Sequence, residues 1–192
     1  MNGALSSASA QPATFDAPAA SLPRLTGADS CQKLGAIPQG VPPIFVHARV
    51  LDQLLQISDE YPDFEVGGFL LGGVFRDPEH QTLFVEIHEY VQATSLLSQH
   101  HSLTFTHDTW AAVHRQMEQK FPEQQIVGWH HTHPGFGIFL SRQDEFIHRH
   151  FFQQPWQVAL VVDPRQGELG FFQWRQGQIV DTGFFVVPAA QG

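Results

Sequence analysis

The chain has 192 residues, of which 42% are hydrophobic and 15% are charged, so we expect one globular domain with a buried core. Its formal net charge is −9 and its ten basic residues form no cluster, which argues against a nucleic-acid partner. The single cysteine excludes an internal disulfide and a thiolate-rich zinc cluster, and no segment resembles a signal peptide or the ~20 apolar residues of a membrane span, so we expect a cytoplasmic protein without a membrane partner.

The first part of the chain divides into a tail and the start of a folded domain. Residues 1–40 are rich in Ala, Ser, Pro and Gly and lack a sustained apolar period, which predicts a flexible tail followed by a domain over 41–192. Apolar residues at helical spacing predict a first helix that Pro62 ends; they are Val50, Leu51, Leu54 and Ile57. Two apolar stretches, Phe64–Phe75 and Thr82–Val91, predict strands joined by a hairpin turn.

The second part of the chain predicts alternating helices and strands. An apolar stripe indicates a helix over Asp108–Lys120, and a further helix starts near Ser141 and continues through Phe151. Four apolar or alternating runs predict strands: Gln125–His131, Val158–Val162, Leu169–Trp174 and Ile179–Val187. We therefore expect a mixed α/β domain whose helices pack against a central sheet.

A candidate metal site lies where the strand Gln125–His131 ends and the next helix begins. Side chains alternate along a strand, so His131 and His133 point the same way while His130 points to the other face. Asp144, near the helix start, can supply a third ligand on the same side. Two imidazoles and a carboxylate, with the fourth position left to water, are typical of a catalytic zinc ion. Each part alone is ordinary, because the chain has twelve histidines and Ser-x-x-Asp is a common capping box, but the joint pattern is specific.

This segment resembles the JAMM (MPN+) metalloproteases, whose motif is H-x-H-P followed after six residues by S-x-x-D. Upstream, Glu65-Val-Gly-Gly-Phe-Leu-Leu-Gly72 is similar to the E-V-x-G-x-x-x-G segment of that family. The resemblance covers roughly residues 43–187, and it implies a single MPN domain that holds one zinc ion. It also implies that Glu65 is the general base and acid, which takes a proton from the zinc-bound water and returns it to the leaving amine. Ser141 would donate a hydroxyl to the developing oxyanion.

The resemblance also implies a substrate class. Such enzymes cut the peptide or isopeptide bond after the C-terminal Gly-Gly tail of ubiquitin or a ubiquitin-like protein, and an extended tail can add as a strand beside a sheet edge. The connection between Asp163 and Glu168 is very short, as in compact prokaryotic-type members, so a ubiquitin-like modifier or a small sulfur-carrier protein is the expected substrate. Two alternatives stay open, namely a non-catalytic MPN interaction scaffold and a zinc peptidase or amidase with a smaller substrate.

The remaining aromatic and imidazole side chains give weaker signals. The other histidines lack partners at a convincing ligand spacing, and we expect most of them at the surface; they include His80, His88, His114, His148 and His150. The four tryptophans lie in apolar segments and are expected in the core. No nucleotide-binding glycine motif is present, so we expect no cofactor other than the metal.

Overall fold

The computed structural model describes residues 15–23, 25, 30–93 and 106–189. These residues form a nine-stranded sheet and three helices, which confirms the predicted mixed α/β class. The strands are β1 (Gln32–Leu34), β2 (Ile44–His47), β3 (Gly67–Arg76), β4 (Leu83–Gln92), β5 (Gln125–Thr132), β6 (Val158–Asp163), β7 (Glu168–Arg175), β8 (Gln178–Thr182) and β9 (Phe184–Val187). Their order across the sheet is β1-β9-β2-β4-β3-β5-β6-β7-β8.

The helices cover both faces of this sheet. They are α1 (Ala48–Glu60), α2 (His107–Lys120) and α3 (Arg142–Phe151). Leu54 of α1 packs into the core on one face, while Val113 of α2 and Ile147 of α3 pack around Trp129 on the other. Each helix forms where predicted because its apolar stripe has a sheet face to cover. None of the helices among the described residues has the length and apolar character that a membrane crossing needs.

The centre of the sheet places two strand ends side by side. β3 is antiparallel to β4 and to β5, and β5 runs parallel to β6. All six residues of β6 are buried, as expected of a strand that is covered on both faces. Because parallel strands end at the same edge, the residues after β5 and after β6 meet there.

The predicted single strand Ile179–Val187 is wrong. The chain breaks at Gly183 into β8, which pairs with β7, and β9, which lies between β1 and β2 near the opposite end of the sheet. One residue joins them, so the sheet curls until its two ends approach each other. The Gly183 N–H donates to the Ala36 carbonyl at 2.7 Å, and an added Cβ would lie 2.6 Å from backbone atoms of Gly35. The apolar alternation continues across the break and therefore does not reveal it.

Part of the segment predicted as a flexible tail, residues 1–40, packs against the sheet where the structure describes it. β1 pairs antiparallel with β9 at the sheet edge. Ala17 and Cys31 are buried, and the Arg76 N–H donates to the Pro18 carbonyl at 2.9 Å. Three residues of edge strand carry too little apolar periodicity to be seen in the sequence. The prediction for residues 1–14, 24 and 26–29 lies outside the described residues.

Candidate active site

The end of β5 directs neighbouring side chains to opposite faces. His131 pairs in register with Gly67 of β3 and Val161 of β6, and the chain continues past the strand to His133. His131 and His133 lie on one face, with their Nε2 atoms 3.0 Å apart. His130 points to the other face, where its ring meets Tyr90 edge-on at a centroid distance of 5.4 Å. Burial lowers the pKa of His130 to about 3, so this side chain is a neutral core residue.

The first turn of α3 brings Asp144 to the same face as His131 and His133. Ser141 is the N-cap, as its predicted capping role requires, and its Oγ accepts the Asp144 N–H at 3.2 Å. Asp144 Oδ2 in turn accepts the Ser141 N–H at 2.7 Å. This reciprocal capping box fixes the carboxylate at the start of the helix.

The structure brings the three predicted metal ligands together. Nε2 of His131 lies 3.4 Å from Asp144 Oδ1, and Nε2 of His133 lies 3.4 Å from Asp144 Oδ2. All three side chains are buried. Zn–N and Zn–O bonds of about 2.0–2.1 Å in tetrahedral geometry separate ligand atoms by roughly 3.3 Å. The two nitrogens are separated by 3.0 Å and each lies 3.4 Å from one of the two carboxylate oxygens, so the three side chains fit a zinc ion.

The hydrogen-bond partner of His133 Nδ1 supports this fit. Its Nδ1 lies 3.2 Å from the Gly137 carbonyl, which can only accept, so Nδ1 carries the proton and the Nε2 of a neutral ring presents a lone pair to the site. That lone pair faces the Nε2 of His131 and the carboxylate of Asp144. Two imidazole nitrogens and a carboxylate directed at one point are the donor types that zinc takes in proteins.

Burial and charge shift the pKa values of the three groups in different directions. Burial lowers the pKa of His131, and the nearby Asp144 offsets this only in part. For His133 burial acts downward, but the interaction with Asp144, with a smaller contribution from Glu65, raises the pKa overall. Burial would raise the pKa of Asp144, yet the two imidazoles hold it far below its ordinary value. The site therefore keeps a carboxylate anion next to the imidazoles.

Thr132 positions the segment that carries Glu65. Its Oγ1 accepts the Val66 N–H at 2.9 Å and donates to the Phe64 carbonyl at 3.2 Å, on either side of Glu65. The Thr132 N–H also donates to the Val66 carbonyl at 2.9 Å. Glu65 is partly buried and lies two residues before Gly67, which pairs in register with His131, so its backbone is close to the site. Its charge also contributes to the raised pKa of His133. The sequence alone indicates no role for Thr132, because its partners around Glu65 lie 66 residues earlier in the chain.

Asp163 is a second residue whose contribution the sequence did not reveal. This fully buried carboxylate at the end of β6 accepts N–H groups from Gly135 at 2.9 Å and Gly137 at 2.7 Å. It also accepts the Arg165 N–H at 3.0 Å. These bonds fix the loop that follows His133. The sequence feature that could have indicated this role is the position of Asp163, an acidic residue at the end of an otherwise apolar strand.

Behind His131 lies a stack of aromatic rings. Trp129 is stacked on His131 with a centroid distance of 4.6 Å and an interplanar angle of 9°. Its Nε1 donates to His148 Nδ1 at 3.1 Å. The prediction of a surface position is therefore wrong for His148, which is fully buried because it lies on the sheet-facing side of α3. Burial, with a smaller effect of Arg149, lowers the pKa of His148 to about 4.

A cleft of about 610 Å³ borders the site. Phe139 lines it and lies with its ring 4.7 Å from that of His133. Leu34 of β1 and Asp181 of β8 line the cleft as well, so it opens where the two edges of the curled sheet approach each other.

Comparisons with curated proteins find relatives among proteasome and signalosome subunits. The chain is 33% identical over 129 residues to the 26S proteasome regulatory subunit RPN11 of Eremothecium gossypii, which covers 66% of this chain and 40% of that protein. It is 38% identical over 71 residues, 36% of this chain and 23% of the relative, to the ubiquitin carboxyl-terminal hydrolase RPN11 of Saccharomyces cerevisiae. A third relative is the NAD(+) hydrolase TcpA of a Theionarchaea archaeon, 34% identical over 70 residues, which are 36% of this chain and 21% of that protein. The matched segments thus span less than half of each relative.

Structure and family comparisons agree on the domain. The solution structure of a protein from Desulfitobacterium hafniense superposes with a TM-score of 0.54 at 15% identity, covering 77% of this chain and 94% of that one, a likeness that concerns the fold alone. Residues 39–155 match the family described as JAB1/Mov34/MPN/PAD-1 ubiquitin protease. This match spans β2 to α3 and includes Glu65, His131, His133 and Asp144. The chain therefore belongs to the JAB1/Mov34/MPN/PAD-1 family, to which the JAMM proteases belong.

Proposed function

We propose that the protein is a zinc-dependent metallopeptidase that hydrolyses the peptide or isopeptide bond after the C-terminal tail of a ubiquitin-like modifier. The observation that carries the proposal is the convergence of the Nε2 atoms of His131 and His133 with the carboxylate of Asp144, at separations of 3.0–3.4 Å. Membership of the JAB1/Mov34/MPN/PAD-1 family and the similarity to ubiquitin hydrolase RPN11 support the substrate class.

The side chains around the donor triad match the needs of amide hydrolysis. Zinc held by the triad would polarise the scissile carbonyl and lower the pKa of the attacking water. Glu65 accepts the proton that the water loses as its oxygen bonds to the carbonyl carbon, and delivers it to the amine nitrogen as the C–N bond breaks. Ser141 caps α3 with an oxygen lone pair, so its O–H is available to stabilise the negative charge on the carbonyl oxygen.

Exposed aromatic side chains support a protein substrate. Phe64 is 50% exposed and lies next to Glu65, while Phe136 and Phe139 are 57% and 44% exposed in the loop that follows His133. Large apolar side chains at the surface commonly mark sites of protein contact. The cleft that Phe139 lines gives room beside His133 for an extended chain.

The proton-transfer role of Glu65 can be tested without changing the metal ligands. Glu65→Gln should keep the zinc ion of the triad and the wild-type circular dichroism spectrum, yet abolish cleavage of a ubiquitin-like conjugate. Asp63→Asn is the matched control, because this carboxylate two residues away is 65% exposed and pairs with Arg165; it should cleave normally. Cleavage by Glu65→Gln at the wild-type rate would refute the assignment.

Two further measurements separate the proposed function from its alternatives. Zinc content of the purified protein and of His131→Ala, determined by mass spectrometry, should fall by one ion in the variant. Folded protein that binds no zinc at the triad would favour a scaffold. Comparison of a modifier conjugate with a short peptide of the same tail tests the substrate, because equal rates on the two would favour a general peptidase.

A further inference from the structure

A second group of potential metal ligands lies at the junction of β2, α1 and β4. His47 Nε2 is 2.8 Å from Glu86 Oε1, and His88 Nε2 is 3.4 Å from the same oxygen. One ligand atom from each of the three side chains lies within 4.8 Å of the other two. We propose that His47, Glu86 and His88 bind a divalent transition-metal ion at a site separate from the His131 site.

The sheet register brings these side chains together. Phe45 of β2 pairs with Glu86 of β4 in a parallel ladder. His47 and His88 lie two residues further along these strands and therefore on the same face of the sheet. Glu86 and His88 therefore have the i, i+2 spacing of His131 and His133, and His47 faces them from the neighbouring strand. A loose surface cluster of polar residues would lack this support from two paired strands.

The hydrogen bonds of the group leave one donor atom unsatisfied. Glu86 Oε1 lies within good hydrogen-bonding distance of His47, but His88 Nε2 is shielded from solvent and has no hydrogen-bond partner among the residues that the structure describes. A buried nitrogen without a partner is unfavourable. A metal ion between the three groups would be bound by His88 Nε2 as well as by His47 and Glu86.

The position of His47 supports the same conclusion. It occupies the N-cap of α1, where Ser, Thr, Asp or Asn usually bonds to the helix backbone, yet its side chain makes no capping hydrogen bond. Its imidazole is directed to Glu86 instead. The side chains of His47 and His88 are 30% and 31% exposed, so the group lies at the surface even though His88 Nε2 itself is shielded.

The chemistry of the donors indicates the class of ion. Two imidazole nitrogens and a carboxylate oxygen suit Zn²⁺, Co²⁺, Ni²⁺ or Cu²⁺ rather than Ca²⁺ or Mg²⁺, which prefer oxygen ligands alone. The site is distinct from the first one. His131 pairs in register with Gly67 of β3, and the next residue of β3, Gly68, pairs with Gln92 of β4. Gln92 lies six residues beyond Glu86 on that strand. At about 3.3 Å per residue, the two sites are on the order of 20 Å apart.

Zinc titration of the metal-stripped full chain tests the proposal. The wild type should bind two ions, His88→Ala and Glu86→Gln one each, and the double variant His131→Ala/Glu86→Gln none. His80→Ala is the matched control, because His80 also contacts a carboxylate, Asp77 at 2.7 Å, but belongs to no group of three ligands among the described residues. This variant should bind two ions. Glu86→Gln preserves side-chain volume, so it decides the question if His88→Ala does not fold.

A second measurement keeps this result independent of the proposed peptidase. In a His131→Ala background, Zn²⁺ should raise the thermal unfolding midpoint through the second site, and adding Glu86→Gln should remove that rise. Zinc binding by His88→Ala and Glu86→Gln equal to that of the wild type would overturn the proposal. Failure of Glu65→Gln to abolish cleavage would instead affect only the peptidase assignment.

Discussion

Replacing Thr132 by valine removes the hydroxyl that holds the backbone on both sides of Glu65. Valine keeps the branched shape of threonine and places a methyl group where the hydroxyl was, so the main change is the loss of the hydrogen bonds that Thr132 Oγ1 makes. The Val66 N–H, which donates to Thr132 Oγ1 at 2.9 Å, would have no partner from that side chain, and the bond to the Phe64 carbonyl would also be lost.

The size of the effect follows from these contacts. A buried N–H that loses its acceptor costs about 1–3 kcal/mol, so Thr132→Val should lower the free energy of unfolding by about 2 kcal/mol. The segment with Glu65 would then be less firmly placed. Because a displacement of about 1 Å of a catalytic group can reduce a rate about 100-fold, we expect kcat to fall about 10- to 100-fold.

Steady-state kinetics on a modifier conjugate would measure this loss. Zinc content should stay close to wild type, because the metal ligands do not change, and kcat should change by a larger factor than KM. Thr132→Ser keeps the hydroxyl and should restore most of kcat, which separates the hydrogen bonds from side-chain size. A Thr132→Val enzyme with wild-type kcat would refute the reasoning, as would a Thr132→Ser enzyme as slow as the valine variant.

Three other substitutions test the supporting structure. The pKa of His148 is 6.5 in the unfolded chain and about 4 in the folded protein, so between these pH values only the unfolded chain is protonated there. The free energy of unfolding should therefore decrease as the pH falls from 6.5 to 4. In His148→Gln the slope of unfolding free energy against pH, measured by urea denaturation, should drop by up to about 1.4 kcal/mol per pH unit, and an unchanged slope would contradict the assignment. Asp163→Asn should lower the free energy of unfolding by about 2 kcal/mol in the same assay, because the amide offers only one oxygen where Gly135 and Gly137 each donate to a different carboxylate oxygen. Wild-type stability would show that these hydrogen bonds do not hold the loop. Gly183→Ala should cost about 3 kcal/mol through the clash with Gly35, and a near-neutral effect would show that the edge strands adjust.

Much of the candidate site could be predicted because its geometry is local. The two-residue period of β5 separates His131 and His133 from His130, and a capping box at Ser141 orients Asp144. Both are backbone rules that act over a few residues. Helices with a clear apolar stripe were predictable for the same reason.

Features that depend on distant parts of the chain could not be predicted in this way. Thr132 reaches the backbone around Glu65 across 66 residues of sequence, and Asp163 reaches Gly135 across 28. Glu86 and His88 meet His47 only when β2 pairs with β4, and His148 is buried only because α3 packs over Trp129. In each case a polar residue looks ordinary until the tertiary structure supplies its partner.

The pairing of β9 with β2 has a consequence for how the protein folds as it is synthesised. Phe45 of β2 lies in register with Phe185 of β9, 140 residues later in the chain. While the ribosome is still making the intervening segments, one edge of β2 has no partner, and the buried ring of Phe45 lacks the stacked ring of Phe185. Such long-range pairings form slowly, and until they form the nascent chain exposes an unpaired strand edge that can associate with other chains. The protein should therefore depend on chaperones during translation more than a domain built from local contacts.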